Sequence, residues 1–233
     1  MEIKKNLIIF IFSLLLCNTS LKYEVTLYGI PMANVDMSFN NKTYKDFEVI
    51  ELFFKTSTNN IISQFFKVDN EYRTLIKNNN LDIISFEKST YQPNVINRIK
   101  TFEENEKILY EGTNIIIPKN HFNIFSLLYY LSNTPFNEIQ SEVDLEREGL
   151  IYKCLINKQI NQNLYEFELQ FNLINNNNLV PVVKHSDIFT WGLFRKDAKN
   201  KIIVDPTLNQ IQKCVFSVGI SNLKAKIKRP LNN

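Results

Sequence analysis

The feature that most constrains the fold is an alternation of apolar and polar residues. It is clearest from Tyr165 to Asn172, where every second residue is aromatic or aliphatic and the residues between are Glu, Gln or Asn. Successive side chains of a β-strand point to opposite faces, so this segment predicts a strand with one buried face. Similar segments recur along the chain: Tyr23 to Leu27, Val35 to Phe39, Phe47 to Phe53, Cys214 to Ile220 and Leu223 to Lys228. A mainly β, antiparallel protein is predicted.

The turns between these strands are predicted from asparagine rather than glycine. The chain has 5 glycines, yet asparagine clusters separate apolar runs at 59–60, 78–80 and 175–178. Asn tolerates the left-handed backbone region better than other residues that carry a side chain. We therefore expect hairpin loops at these clusters.

One segment, at about 121–133, departs from the alternation and predicts a helix. Asn120 is a suitable N-cap and Pro135 prevents continuation. Apolar residues lie on nearly every side of this helix, which indicates that protein surrounds it. We predict a single strongly curved antiparallel sheet, half-barrel-like, wrapped around one buried mid-chain helix. Residues 21–233 would form this one domain, because neither half of the chain offers a second layer of its own.

The N-terminal residues predict export. A basic start that includes Lys4 and Lys5 precedes the apolar run from Leu7 to Leu16, and small polar residues follow. A run of this length is short of the roughly 20 residues that span a bilayer, so residues 1–20 are typical of a cleaved signal peptide. We expect a periplasmic or otherwise exported protein with no transmembrane span in the mature chain. Cys17 would be acylated in an outer-membrane lipoprotein, although Leu16 is larger than the residue that normally precedes such a cysteine.

Charge and cysteine content narrow the function classes. The formal net charge of +3 argues against a dedicated nucleic-acid surface. Cys154 and Cys214 are either buried free thiols or a single disulfide, and without CxxC spacing they do not indicate a metal site. We expect no metal and no cofactor.

Catalytic motifs are also missing from the sequence, so we expect a protein that is not an enzyme. His121 and His185 are the only histidines. The run of His185, Ser186 and Asp187 would alternate between faces of a strand and could not form a catalytic triad. Two groups of acidic residues alternate with other residues, which predicts the solvated faces of strands. The first group is Glu103, Glu104 and Glu106, and the second is Asp144, Glu146 and Glu148.

The order of parts resembles a bacterial periplasmic family catalogued as domain of unknown function number 3108. The resemblance lies in a Tyr-x-Val-x-Leu-x-Gly-Ile strand from Tyr23 to Ile30, an Ala-x-Val-x-Met strand from Ala33 to Met37, and a helix with Ser126, Tyr129 and Leu131. Near the C-terminus it continues through Ile202 to Asp205, Val218-Gly219, Leu223 and Ala225.

This resemblance implies a bent sheet with a helix in its concavity, and no established activity. Three polar or aromatic residues of the family are replaced in this chain. The family's aspartate would fall near Ile124 or Phe125, its arginine at Ser132, and its tryptophan at Ile203. A site that relatives build from those polar residues would be missing from this chain.

If the helix fills the concavity of the sheet incompletely, an apolar space remains in which a ligand can bind. We expect a non-catalytic cell-envelope protein that binds a lipidic or other amphipathic ligand there. The expected ligand-binding residues are aromatic: Phe122, Phe125, Tyr129, Trp191 and Phe194. Plain core packing is the competing interpretation of these rings.

The alternative function is an interaction or assembly factor that binds an envelope protein or polysaccharide through its sheet surface. Two further segments leave alternatives open. The stretch from Phe189 to Arg195 is either a strand rim that touches a ligand or membrane, or a buried strand end. Lys224, Lys226, Lys228 and Arg229 form a basic row that either meets anionic lipid or protects an outer strand from aggregation.

Overall fold

The computed structural model describes residues 20–174, 181–219 and 221–228. Residues 1–19 of the predicted signal therefore lie outside the described residues, and its last residue, Ser20, begins the first strand. Fourteen strands and two α-helices make up this part of the chain. The strands are β1 Ser20–Leu27, β2 Ile30–Tyr44, β3 Phe47–Thr58, β4 Asp69–Lys77, β5 Ile83–Gln92, β6 Val95–Glu104, β7 Lys107–Tyr110, β8 Ile116–Pro118, β9 Glu142–Arg147, β10 Leu150–Asn161, β11 Leu164–Leu173, β12 Lys199–Asp205, β13 Gln210–Val218 and β14 Ser221–Ile227. The helices are α1 Ile124–Asn133 and α2 Ile188–Leu193.

All fourteen strands belong to one antiparallel sheet, which confirms the predicted fold class. Each strand pairs with its sequence neighbours except that β8 does not pair with β9, and β1 pairs with β14. Strands β8 and β9, on either side of α1 in the sequence, are therefore the two ends of the sheet. The sheet curls until these ends nearly meet, so the structure is a nearly closed barrel rather than a half-barrel.

The two sheet ends meet at a seam, which we define as the contact between the segment after β8 and strand β9. The backbone N–H of Phe122 donates to the carbonyl of Asp144 at 2.9 Å, and the N–H of Glu146 donates to the carbonyl of Phe122 at 2.7 Å. These bonds form a single parallel bridge between Phe122 and Leu145. They cover part of the open edge of β9, which would otherwise expose unpaired backbone groups.

Antiparallel hairpins alternate between the two ends of the barrel, so each end can be defined by its connections. The α2 end carries the β1–β2 turn, residues 59–68, the β5–β6 and β9–β10 turns and the segment around α2. The α1 end carries the β2–β3, β4–β5, β6–β7, β10–β11 and β12–β13 turns and the chain entering and leaving α1.

Asparagine does supply left-handed turn residues, though mostly as single residues. Asn94, Asn105, Asn163 and Asn209 all have positive φ at strand connections. In the predicted cluster at 78–80, the positive φ falls instead on Leu81. The cluster at 175–178 lies outside the described residues.

Helix α1 fills the barrel interior, as the apolar pattern predicts. It begins at Ile124, three residues later than the predicted start, because Asn123 rather than Asn120 caps it. The Asn123 side chain accepts from the Ser126 N–H while the Ser126 hydroxyl accepts from the Asn123 N–H, each at 2.9 Å. This reciprocal pair satisfies two of the N–H groups left open at a helix start.

The Trp191 segment is a short helix, and both strand interpretations of it were wrong. Asp187 caps α2, and its carboxylate accepts from the Thr190 N–H at 2.9 Å. A six-residue segment with four large apolar side chains does not distinguish a helix from a strand by its periodicity. The cap at Asp187 decides between them.

The last strand is not a sheet edge. β14 pairs with β13 on one side and with β1 on the other, so the lysines of this strand do not protect an outer edge. Lys228, directly after β14, binds Glu24 on β1 and Asn34 on β2. Arg229 lies outside the described residues.

The two cysteines of the domain are buried free thiols. Cys154 lies on β10 and Cys214 on β13, with two strands between them. Adjacent strands are about 4.8 Å apart, so this separation exceeds the reach of a disulfide. Burial raises the pKa of each thiol to about 12.

Candidate functional site

A buried lysine lies in the barrel interior near the α2 end. Lys88 is 1% exposed, because it follows the inward-facing positions of β5 that also place Phe86 and Thr90 inside. Its Nζ lies 2.5 Å from Asp187 Oδ2 and donates to Glu148 Oε1. A buried charge is tolerated only when it is paired, and here two carboxylates pair with one ammonium.

The two carboxylates come from connections rather than strands. Glu148 occupies the tight β9–β10 turn, where it and Gly149 both have positive φ. Asp187 also accepts from the Thr190 hydroxyl at 2.6 Å. Burial raises the pKa of Asp187, but the Lys88 ammonium and the bonds from Thr190 outweigh it and leave that pKa below its usual value. Lys88 thereby joins β5 to two loops at the α2 end.

A third buried carboxylate, Glu146, lies across the seam. The Tyr110 hydroxyl of β7 donates to Glu146 of β9, and the N–H of Gly149 donates to Glu146 Oε1 at 2.9 Å. Burial raises the pKa of Glu146 to about 7, although both hydrogen bonds oppose the rise. Burial and the nearby Glu146 charge raise the pKa of Tyr110 well above its usual value.

These positions correct the prediction that Asp144, Glu146 and Glu148 form a solvated strand face. Glu146 and Glu148 are 8% and 4% exposed. The alternation along β9 does not show which segment packs against this strand. The neighbour across the seam encloses the polar face of β9 as well as its apolar face. Glu103 and Glu106 do lie at the surface, where both bind Lys119.

Above the ion pairs lies an open groove of about 590 Å³ at the α2 end. Its apolar walls include Phe66, Val95, Ile188 and Trp191. Its polar residues include Gln92, Arg147, Glu148 and Ser186. Volume and mixed lining both match sites that hold small molecules.

Arg147 and Ser186 connect the groove to the buried carboxylates. Arg147 Nη2 donates to Ser186 Oγ at 3.1 Å, and the Ser186 hydroxyl donates to Glu148. The Arg147 guanidinium also lies 5.1 Å from the centroid of the Phe194 ring. A cation held in this way on both sides is pre-positioned for an acidic or hydrogen-bond-accepting group.

Gln92 adds an unused donor to the same groove. It is 4% exposed, and its Oε1 accepts from the Ile188 N–H at 3.2 Å. Its Nε2 has no hydrogen-bond partner among the described residues. A buried donor without a partner is costly, and a ligand acceptor would relieve that cost.

The structure separates the five predicted ligand-binding residues. Trp191, 48% exposed, lines the groove, and Phe194 packs beneath it on Phe171 at 4.5 Å. Phe125 packs in the core against Tyr72 at 4.5 Å. The remaining two, Phe122 and Tyr129, line separate depressions at the α1 end.

The sequence pattern did not identify Lys88, Gln92 and Arg147 as site residues, and it assigned Glu148 to a solvated strand face. One signal was present: Lys88 and Gln92 occupy the same alternating positions as Phe86, on the face that a strand buries. The neighbours His185, Ser186 and Asp187 precede α2 outside any strand, and Ser186 and Asp187 have different partners. No group of three metal-ligating side chains is present within 20–174, 181–219 and 221–228.

No family model matches this chain, and no curated protein matches it either. A solved structure does: a β-barrel-like protein of domain of unknown function DUF1849 from Brucella abortus. The match covers 90% of this chain and 95% of that chain, with a TM-score of 0.53 and 8% sequence identity. This likeness shows the barrel-like fold alone, and the resemblance to domain 3108 stays a hypothesis. None of the described helices is long and apolar enough to cross a membrane.

Proposed function

We propose that this chain is an exported, non-catalytic cell-envelope protein that binds one amphipathic ligand in the groove at the α2 end. The observation that carries the proposal is the groove itself, where Trp191 and Ile188 form an apolar wall beside Arg147 and Gln92. The apolar part of the ligand packs on that wall, and its polar end accepts hydrogen bonds from Arg147 and Gln92.

Packing of the interior supports a ligand site in the groove rather than beside α1. The Phe125 ring lies 4.8 Å from Phe54 and 6.0 Å from Phe86, and α1 is buried along most of its length. Rings at such separations are in ordinary contact. Among the five expected residues, Trp191 is therefore the one that contacts the ligand directly in this proposal.

A binding role accounts better for the polar groups than catalysis does. Glu148 is held by Lys88, Arg147 and Ser186, and Asp187 is held by Lys88 and Thr190. The Lys88 ammonium and the bonds from Thr190 hold the pKa of Asp187 below its usual value, so this carboxylate has little tendency to take up a proton. Export to the envelope is supported by residues 1–20 of the sequence, and acylation of Cys17 is the alternative for that segment.

The experiment uses Trp191, the single tryptophan of the chain, as a reporter within the groove. Mature protein is titrated with laurate and with dodecyltrimethylammonium, both as monomers, while tryptophan emission is recorded. We expect saturable binding of laurate, and weaker binding of the cationic probe because Arg147 lies beside the polar end. Native mass spectrometry before and after organic extraction then identifies any ligand that copurifies.

Two isoleucine variants test where the probe binds. Ile188→Glu should weaken laurate binding about tenfold, since it removes apolar area worth over 1 kcal/mol. Ile160→Glu is the matched control, because Ile160 is exposed on β10 and does not line the groove. Equal affinity of the two variants, or no saturable change with laurate, would contradict the proposal.

One observation favours the alternative function, an interaction factor that binds an envelope protein or polysaccharide through its sheet surface. The outer face of β4–β6 has an open depression of about 1000 Å³ whose lining includes Tyr44, Phe47 and Phe102. Aromatic rings that remain exposed are common at binding surfaces. A pull-down from envelope extracts that loses a partner with Phe47→Glu but not with Ile188→Glu would support this alternative.

A further inference from the structure

Exposed apolar side chains are concentrated at the α2 end of the barrel. Phe65, 84% exposed, projects from the connection between β3 and β4. More than half of the exposed large apolar residues in the described part of the chain lie at this end: Tyr28, Ile30, Ile61, Phe65, Phe66, Tyr91, Ile96, Leu173, Ile174, Ile188 and Trp191. Scattered surface apolar residues are normal, but a cluster of this kind indicates an interaction surface.

Contacts between the loops join these residues into one patch, which we call the apolar rim. Asn59 in the β3–β4 connection donates to the Pro31 carbonyl beside the β1–β2 turn at 2.6 Å. Lys67, from the same connection, lies 5.2 Å from the Tyr91 ring at the end of β5. Phe66 and Trp191 share the groove lining with Val95. The rim therefore runs over four neighbouring connections.

The charges around the apolar rim are mainly positive. The segments 59–68 and 181–198 together contain four exposed cations: Lys67, Lys184, Arg195 and Lys196. They contain one exposed carboxylate, Asp197, which binds Arg195. The second acidic residue there, Asp187, is buried with Lys88. The connections at the opposite end carry the reverse balance, with Lys45 and Lys119 against Asp46, Asp82, Glu106 and Glu138.

We propose that the apolar rim docks on an anionic lipid bilayer, with the loop tips in the headgroup layer and the barrel standing above it. Aromatic side chains favour that layer, and each nearby Lys or Arg adds attraction to anionic lipid. The α1 end, with its acidic connections, then faces away from the membrane. This placement does not depend on a ligand in the groove, although it brings the mouth of the groove to the lipid surface.

The first test is vesicle flotation of the mature protein with two phenylalanine variants. Vesicles contain either phosphatidylcholine alone or phosphatidylcholine with phosphatidylglycerol. We expect binding to the anionic vesicles, which Phe65→Glu weakens by about tenfold or more because it removes an inserted ring and adds a repelled charge. Phe47→Glu is the matched control, since Phe47 is exposed at the α1 end and should leave binding unchanged.

The second test reverses one charge at each end. Lys196→Glu, at the α2 end, should weaken binding to the anionic vesicles severalfold, while Lys45→Glu at the α1 end should not. Binding of the wild-type protein should also fall as salt is raised, because the attraction is screened. Circular dichroism of each variant verifies that the barrel is intact.

Three results would overturn the proposal: no binding to anionic vesicles, equal loss of binding in Phe65→Glu and Phe47→Glu, or Trp191 emission that brominated acyl chains do not quench. The laurate titration stays a separate measurement. Phe65 does not line the groove, so Phe65→Glu should retain laurate affinity even where vesicle binding is lost. If the protein binds vesicles but not laurate, the proposal of membrane docking is supported and only the proposal of a ligand in the groove is contradicted.

Discussion

Lys88 is the residue on which the buried charges at the α2 end depend. Replacing it with Met leaves Glu148 and Asp187 buried without their shared cation. We expect Lys88→Met to lower the free energy of unfolding by about 3–5 kcal/mol, measured by urea denaturation. Lys55→Met is the control: Lys55 binds Glu71 and Asp69 at the surface, so its loss should cost less than about 1 kcal/mol. Similar losses in both variants would contradict the role assigned to Lys88.

Glu146 should make stability depend on pH. Its pKa is about 7 in the folded protein and 4.5 in the reference state, so the folded chain holds one more proton between those values. Its contribution to stability is therefore complete below about pH 4.5 and is lost as the pH rises through 7. Glu146→Gln should remove this dependence. Once the pH exceeds 7, the stability of the variant relative to wild type should therefore be about 3 kcal/mol higher than it is at pH 4.5.

The measurement for Glu146 is urea denaturation at pH 5 and pH 8. Glu142→Gln provides the control, because Glu142 lies on the same strand and binds Lys153 at the surface. If the stability difference between Glu146→Gln and wild type is the same at both pH values, Glu146 is not the group that titrates.

At the scale of elements, α1 depends on its cap at Asn123. The Asn123 side chain also donates to the Thr74 hydroxyl at 3.0 Å, so it joins the helix to β4. Asn123→Ala should lower the free energy of unfolding by about 1–2 kcal/mol. Asn120→Gly serves as the comparison, since Asn120 has positive φ and caps no helix; it should change stability by about 0.5 kcal/mol or less. Thermal denaturation followed by circular dichroism measures both.

The rest of α1 is governed by packing rather than by its cap. Phe125 contacts rings from β3, β4 and β5, and Leu127 and Leu131 are fully buried. This explains why the helix forms despite several residues of modest helix propensity. A short helix is marginal in water and is stabilised chiefly by burial of its apolar side chains.

At the scale of the whole molecule, the closure of the barrel is uneven. β1 and β14 form a regular five-pair ladder that joins the first and last described strands in the middle of the sheet. At the seam, one backbone bridge and the side chains of Tyr110 and Glu146 replace a ladder. Local opening should therefore begin at the seam.

Hydrogen exchange followed by mass spectrometry tests this order of opening. Amides of β8 and of the segment at Phe122 should exchange well before those of β1 and β14, because few backbone bonds hold the seam. Glu146→Gln should leave the protection of β1 and β14 in place. Equal protection of the seam and of the β1–β14 ladder would contradict an uneven closure.

Much of the local structure followed from the sequence because it depends on near neighbours along the chain. Alternation from Tyr165 to Asn172 predicted β11, and the apolar segment before Pro135 predicted α1. The start of α1 was misplaced by three residues, because Asn120 and Asn123 are both acceptable caps until the chain direction is fixed. The segment of α2 was assigned to a strand, since a short stretch with four large apolar side chains fits either element.

The sequence by itself determined the strand pattern, the buried helix and the curved sheet, because these follow from which side chains must leave water. Only the tertiary structure decided where the charges lie. Lys88, Glu148 and Asp187 are separated by 60 and then 39 positions in the sequence, and they meet because the sheet curls until β9 approaches β7 and β8. Alternation tells which face a residue takes on its own strand, but it carries no information about what closes over that face.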